Sequence, residues 1–149
     1  MNVDLNRRGF LGFAAAALVA CAGEAPSRSV RVYRSPTCGC CGGWVDHLRA
    51  AGFEVTVEMM EDVGPVAARL GVPDQLRSCH TGEVAGYFLE GHVPAADVEK
   101  LLRERPRAAG IAVPGMPVGS PGMEMGGRRD PFETLLVDRN GAASVFATH

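Results

Sequence analysis

The chain has 149 residues, of which 46% are hydrophobic, and its formal net charge is -2. This length and this apolar fraction suit one compact domain with an ordinary core, and they exclude a disordered or fibrous protein. Charges of both signs are scattered along the sequence, and no basic stripe is present to neutralise a phosphate backbone, so nucleic-acid binding is not expected.

The first 23 residues are predicted to be an export signal and not a part of the fold. Two arginines, Arg7 and Arg8, precede an uncharged and largely apolar run from Gly9 to Ala20. That run is too short to span a bilayer as a helix, and small residues follow it, which is the order of an export signal. "RRGFL" resembles a twin-arginine signal, the type used for proteins that are exported already folded.

The "LVAC" segment that ends at Cys21 resembles a bacterial lipoprotein box, in which the cysteine is lipidated. Cleavage near Ala20 without a lipid is the alternative. We therefore predict a periplasmic protein that meets a membrane only through a lipid on Cys21, with residues 24–29 as a tether and residues 30–149 as the functional domain.

The remaining sequence alternates between strand and helix patterns. In chain order these patterns predict a strand at 30–34, a helix from 41 to 51, a strand at 53–60, a short helix from 65 to 70, a strand at 84–91 and a helix that starts near 94 and ends before 106. A loop rich in glycine, proline and methionine follows at 110–131, and Asn140-Gly141 is a turn signal inside a hairpin at 133–147. The strand, cysteine turn, helix, strand order predicts an α/β, thioredoxin-like fold: a mixed β-sheet flanked by helices, with a C-terminal β-hairpin.

Three cysteines, Cys38, Cys40 and Cys41, fall within four positions of the stretch "SPTCGCCGGW". Cysteines of exported proteins are expected to pair, yet the adjacent Cys40 and Cys41 are poorly placed to bridge each other. Three thiols in one turn therefore indicate a reactive or metal-binding role more than a structural disulfide. Thiolates are soft ligands that select Cu(I), zinc or iron–sulfur clusters, and the neighbouring glycines leave the backbone free to bend around an ion.

A fourth sulfur ligand is expected from "SCHTG", which offers Cys79 and His80 side by side before the third predicted strand. In a small βαβ domain this segment can lie near the cysteine turn. A small buried hydrophobe for Cys79 and a polar turn residue for His80 are the alternatives. His92 is explained as well by a helix-start position as by a ligand role, and we expect no role for the surface residue His47 or for the terminal, disordered His149.

Three methionines, Met116, Met123 and Met125, lie in a loop with almost no other apolar bulk. Thioethers stay unprotonated and bind Cu(I) or Ag(I) weakly, which suits capture and handover in an oxidising compartment. Methionines that cover a surface groove are the alternative.

Cys38 and Cys41 also form a CxxC pair that could exchange with protein disulfides. The third thiol, Cys40, invites mispairing, so the motif suits a metal better than a disulfide client. A structural zinc site, in which the metal is needed for folding, is a further alternative.

Three separated motifs, "CGCCGGWVDHLRAAGFEV", "SCHTGEVAGYFLEGHVPAADVEKLLRERP" and "GIAVPGMPVGSPGME", resemble the CopG-like family of exported copper- and silver-resistance proteins. The resemblance runs from about Val30 to Phe146. It implies a thioredoxin-like fold, Cu(I) bound by the CxCC cysteines and the cysteine of "SCH", and more than one copper ion. A role in interconverting Cu(I) and Cu(II) is suggested for the family, which would make the protein a copper oxidoreductase.

The sequence thus predicts a periplasmic Cu(I)-binding protein of copper resistance that sequesters or transfers copper. Its expected metal ligands are the four cysteines, with His80 as an auxiliary ligand and the methionine loop as an uptake or handover surface: Cys38, Cys40, Cys41, Cys79, His80, Met116, Met123 and Met125. Copper or silver ions are the expected partners, and a periplasmic copper chaperone or an efflux component is a candidate protein partner. The alternative function is a thiol–disulfide oxidoreductase that uses Cys38 and Cys41.

Overall fold

The computed structural model describes residues 27–149 of the chain. The predicted export signal, the lipobox cysteine and the first part of the tether lie outside the described residues. Within this range the strands and α-helices are β1 Ser29–Arg34, α1 Gly39–Ala50, β2 Glu54–Met59, α2 Gly64–Leu70, β3 His80–Val84, β4 Tyr87–Gly91, α3 Ala95–Glu104, β5 Gly110–Val113, β6 Glu133–Val137 and β7 Ala143–Thr148. No helix in the described part of the chain is both long and apolar enough to cross a membrane.

The strands form one mixed sheet in the order β2-β1-β3-β4-β5-β6-β7. β1 runs parallel to β2 and β4 runs parallel to β5, and the other neighbouring strands are antiparallel. The predicted α/β class, the mixed sheet and the C-terminal hairpin of β6 and β7 are confirmed. The narrower thioredoxin-like assignment rests on a βαβ unit with a cysteine at the start of its helix; that unit is present, and the assignment stays a prediction.

Helices cover both faces of the sheet, as predicted. Leu48 of α1 and Leu101 of α3 belong to the main core, which includes Leu89 of β4. Ala67 of α2 belongs to a smaller cluster on the opposite face, with Phe88 of β4. Because successive strand residues point to opposite faces, neighbouring residues of β4 contribute to both clusters.

The strand predicted at 84–91 is wrong in its extent, since this region is the second half of a hairpin. β3 ends at Val84, and β4 begins at Tyr87 and pairs with it in antiparallel fashion. Between them Ala85 and Gly86 have φ values of 48° and 84°, in the left-handed region. Alanine rarely takes this conformation, and it carries none of the usual signals of a hairpin turn, so the local sequence hides the turn.

A strand also lies where only loop was predicted. β5 is fully buried and runs parallel to β4, and Gly110 faces Phe88 so closely that a β-carbon at this residue would overlap the Phe88 carbonyl oxygen. Burial on both faces explains its unbroken apolar sequence, which lacks the alternation that marks a half-buried strand. In the last hairpin only Gly141 of the predicted turn pair is left-handed, with a φ of 85°.

Candidate metal centre

The cysteine turn lies where β1 passes into α1. β1 ends at Arg34, and Cys38 is the N-terminal cap residue of α1. The Arg34 guanidinium donates a hydrogen bond of 2.6 Å from Nη1 to the Cys38 carbonyl oxygen, which holds the turn against the end of the strand. Cys38 and Cys41 form a disulfide, whereas Cys40 is a free thiol. A site with thiolates at all three positions therefore requires reduction of this bond.

The fourth cysteine is brought to this turn by the pairing of β3 with β1. His80 lies opposite Arg34 in the antiparallel register, so the preceding Cys79 meets the turn that follows β1. Cys79 Sγ lies 3.4 Å from Cys41 Sγ, and Cys40 Sγ lies 3.5 Å from Cys38 Sγ. All four sulfur atoms lie within 4.8 Å of one another. The structure thus brings together the four predicted cysteines, although their binding of copper stays a prediction.

Burial controls the ionisation of Cys79. The thiol is half-buried, and desolvation, followed by the proximity of Cys40, raises the pKa of Cys79 to about 11. At neutral pH Cys79 is therefore a protonated thiol in the metal-free chain. A soft cation that binds here must displace this proton.

The His80 imidazole is fully buried beside Cys79 and is neutral. Its Nε2–H donates to the Gly91 carbonyl oxygen at 2.9 Å, which leaves the Nδ1 lone pair at 3.7 Å from Cys79 Sγ. Burial, and next the neighbouring His92, lower the pKa of His80 to about 3. The ring also lies 4.5 Å from the Trp44 ring, centroid to centroid. A neutral imidazole with a free lone pair is a suitable metal ligand.

His92, for which the sequence leaves a helix-start position and a ligand role open, lies in the site. It is fully buried, its Nδ1–H donates to the Pro121 carbonyl oxygen at 2.7 Å, and its Nε2 has no hydrogen-bond partner. Donor atoms of Cys79, His80 and His92 lie within 4.8 Å of one another. Burial lowers the pKa of His92, so Nε2 keeps its lone pair. An unpaired buried nitrogen beside two other donors fits a metal ion, because buried polar atoms are otherwise satisfied.

The turn at Ala85 and Gly86 is the sequence feature from which the position of His92 in the site could have been predicted. When residues 80–91 are read as a hairpin, Thr81 pairs with Glu90, and the two histidines lie at the same end of it. Their rings meet edge to face, with centroids 5.1 Å apart. A single strand at 84–91 instead separates them.

A buried carboxylate shapes the Cys79–His80 segment from behind. Glu90 accepts hydrogen bonds from the Ser78 amide and hydroxyl and, at 2.7 Å, from the Thr81 hydroxyl, so it binds the residues on both sides of the ligand pair. Glu90 is fully buried, and burial raises its pKa. The carboxylate thus fixes the direction in which Cys79 and His80 point.

The methionine loop meets the centre through its backbone. Gly122 has a φ of +83° and lies so close to α1 that a β-carbon added to it would be 2.7 Å from the backbone nitrogen of Trp44. The adjacent Met123 is half-buried, whereas Met116 and Met125 are 45% and 61% exposed. Met116 and Met125 therefore lie in solvent, and Met123 is the methionine that follows the glycine in contact with α1.

His47 and His149 lie away from the centre but are not idle surface residues. His47 is half-buried, and its Nε2 accepts a hydrogen bond of 2.9 Å from the Ala95 amide at the start of α3. His149, which was expected to be disordered, donates from Nε2 to the buried Asp97 carboxylate at 2.8 Å and stacks on Phe132. Both histidines have packing roles.

Fold and site together define an α/β domain that gathers sulfur and imidazole donors, of the types that suit a soft metal ion, at one end of β1 and β3. The family model described as "Protein of unknown function, DUF411" matches residues 76–123, which hold Cys79, His80 and His92. Two solved structures are similar, "Copper resistance protein copG- Form 1" and its Form 2. Form 1 is 53% identical, with 83% of this chain and 98% of that chain covered and a TM-score of 0.78. Form 2 is 53% identical, with coverages of 81% and 97% and a TM-score of 0.77.

No curated protein sequence matches the chain. The identity and the nearly complete coverage of the two solved structures show the family, and the predicted resemblance is confirmed: the chain belongs to the family of copper resistance protein CopG.

Proposed function

We propose that this protein binds Cu(I) in the periplasm and sequesters it or passes it on as part of copper resistance. The observation that carries the proposal is the group of four cysteine sulfurs within 4.8 Å, which suits a soft monovalent ion once the disulfide is reduced. The names of the two similar structures, both copper resistance proteins, point to the same metal. The four thiolates bind copper, and more than one ion fits so many bridging sulfurs.

The two buried imidazoles extend this ligand set. His80 and His92 share Cys79 with the sulfur cluster, so nitrogen donors stand directly beside the sulfur donors. Thiolates favour Cu(I), and imidazole also suits Cu(II). A site with both donor types supports a further part of the proposal, that the protein interconverts Cu(I) and Cu(II).

The test is an anaerobic Cu(I) titration of the reduced protein against a competing chelator, with metal analysis. We expect tight binding of one or more ions. Loss of an outer partner of a ligand typically weakens metal binding about 10–100-fold, and Cys79→Ser, which removes a ligand, should weaken it more. His92→Gln should weaken binding, while His47→Gln, a half-buried histidine outside the centre, should not. Equal affinity of wild type and Cys79→Ser would refute the four-cysteine site.

The methionine loop is proposed as the surface through which copper or silver enters or leaves, toward a periplasmic chaperone or an efflux component. Replacing Met116, Met123 and Met125 by leucine should slow Cu(I) transfer to a competing chelator without changing affinity at the cysteines. Met59→Leu is the matched control, because Met59 is 55% exposed on β2. The same transfer rate in both variants would exclude the loop from handover.

Export and anchoring are proposed from the first residues of the sequence. A chain lipidated at Cys21 should be recovered with membranes after osmotic shock, and Cys21→Ala should be released with the periplasmic fraction. Recovery of both proteins in the soluble cell extract would refute export.

A thiol–disulfide oxidoreductase is the second candidate function, and the Cys38–Cys41 disulfide favours it. It predicts reduction of insulin disulfides by the reduced protein with Cys40→Ser fully active and Cys38→Ser inactive. If the protein binds copper tightly but does not reduce insulin, the oxidoreductase function is refuted and the copper function remains. Unfolding by chelators, with equal preference for zinc and copper, would instead support the structural zinc site.

A further inference from the structure

The Cys38–Cys41 disulfide has a free thiol near each of its two sulfur atoms. Cys79 Sγ lies 3.4 Å from Cys41 Sγ, and Cys40 Sγ lies 3.5 Å from Cys38 Sγ. We propose that the Cys79 thiol exchanges with this disulfide, so that the bond moves from the turn to a link between Cys41 in α1 and Cys79 before β3. Cys79 is then a reacting thiol of an internal exchange reaction in addition to its proposed ligand role.

The distance is suited to the reaction. Thiol–disulfide exchange occurs by attack of a thiolate on a sulfur of the disulfide, so the Cys79 thiol must first lose its proton. Bound reactants that react readily hold the reacting atoms about 3–3.5 Å apart. Cys41 Sγ and Cys79 Sγ meet this condition in the folded chain. Cys41 is fully buried and so is reached from inside the protein, by Cys79, more readily than by a thiol in solution.

The identity of the leaving sulfur also favours Cys79 as the attacking residue. Attack on Cys41 releases Cys38, which is half-buried and caps the N-terminus of α1, where free amides and the helix dipole stabilise a thiolate. Attack by Cys40 on Cys38 would instead release Cys41 in a fully buried position, where a thiolate is poorly solvated. The better leaving group therefore lies on the path that starts from Cys79.

Atoms and electrons balance within the chain. The Cys41–Cys79 sulfur bond forms as the Cys38–Cys41 bond breaks, and the electron pair of the broken bond leaves with the Cys38 sulfur. The proton of the Cys79 thiol ends on Cys38. One disulfide and two thiols are present before and after, so no external oxidant or reductant is consumed.

The exchange changes which thiols are available to a metal ion. Before it, the free thiols are Cys40 and the half-buried Cys79; after it, they are Cys38 and Cys40, two residues apart on the cysteine turn. The inference rests on the proposed function only in assigning a use to this change. The exchange itself is tested without copper, and the copper titration uses a fully reduced chain, so either can fail without the other.

The test is disulfide mapping of the oxidised, copper-free protein after incubation at mildly alkaline pH, where more of the Cys79 thiol is ionised than at neutral pH. Acid quenching, alkylation of free thiols and trypsin digestion place Cys38, Cys40 and Cys41 in the peptide 35–49 and Cys79 in the peptide 78–100. We expect the two peptides to become crosslinked, with alkylated Cys38 located by fragmentation. The rate of crosslinking should not change on dilution, because the exchange is intramolecular.

Two variants separate the proposal from simpler explanations. Cys40→Ser should still form the crosslink, whereas Cys79→Ser, which keeps the Cys38–Cys41 bond but lacks the nucleophile, should leave Cys38 unalkylated. A crosslink that disappears in Cys40→Ser would assign the attack to Cys40 and overturn the proposal. So would peptides that never crosslink in the wild-type chain, with alkylation confined to Cys40 and Cys79.

Discussion

Gly122, at the contact between the methionine loop and α1, provides a sharp test of how the loop supports the metal centre. A β-carbon at this residue would lie 2.7 Å from the Trp44 nitrogen and 2.8 Å from the Cys40 carbonyl oxygen. Both atoms belong to the backbone of α1 and cannot move without moving the helix that carries the cysteines. Gly122→Ala should therefore strain the loop, the helix or both.

Gly127 offers a matched control in the same loop. Its φ is +81°, close to the +83° of Gly122, but a β-carbon added there would meet no atom within 4 Å. Gly127→Ala measures the left-handed backbone alone, which destabilises by about 1–2 kcal/mol. Gly122→Ala adds the overlap with α1, and overpacking typically costs about 1–3 kcal/mol more. The two variants should thus differ by about 1–3 kcal/mol in free energy of unfolding.

Urea unfolding of the oxidised chain, followed by the fluorescence of the single tryptophan, Trp44, measures this difference. The midpoint should fall further for Gly122→Ala than for Gly127→Ala, with an unchanged slope. Cu(I) affinity should also fall only for Gly122→Ala, because the loop that holds His92 through Pro121 is displaced. Equal midpoints and equal affinities would show that the loop does not rest on α1 in solution.

Three further predictions concern the buried groups. The pKa of His80 is lowered from 6.5 to about 3, so the stability that its neutral form contributes is present above pH 6.5 and is lost as the pH falls toward 3. The loss is at most about 1.4 kcal/mol per pH unit. Urea unfolding across this pH range should show it, and His80→Gln should make the free energy of unfolding less dependent on pH. Glu90→Gln keeps one oxygen for the Ser78 donors but replaces the oxygen that accepts from the Thr81 hydroxyl with an NH2 group, so a Cu(I) titration should show about 10–100-fold weaker binding. The exposed Glu104→Gln should bind as wild type. Copper bound at His80 should quench Trp44 fluorescence, since the rings are 4.5 Å apart, and unquenched fluorescence at saturation would place the metal away from the imidazoles.

The cysteine cluster was predictable because its members are placed by simple topology. A βαβ unit puts a turn at the end of its first strand, and a third strand that pairs with that strand begins beside the same turn. Cys79 precedes that strand, so its proximity to Cys38 and Cys41 follows from strand order alone. Which two of the four cysteines are bonded depends on side-chain geometry that the spacing leaves open.

His92 and the contact of Gly122 with α1 could not be predicted in the same way. The hairpin that brings the two histidines together turns at an alanine, and its left-handed φ of 48° is imposed by strand pairing and not by local preference. The Gly122 contact joins segments about 80 residues apart in sequence, and only the packed fold shows that a glycine is needed there. β5 was missed because a strand buried on both faces has no alternation.

The methionine loop consists of two parts with different tolerance to change. Its base, at Pro121 and Gly122, fixes the tautomer of His92 and touches the backbone of α1. Substitutions at the base should therefore be tolerated as poorly as substitutions of a metal ligand. Its tip, around Gly126 and Gly127, meets open space. A short peptide or a fluorophore inserted at the tip would therefore travel with the loop without disturbing the donors, which makes this position a natural place for a reporter of copper loading.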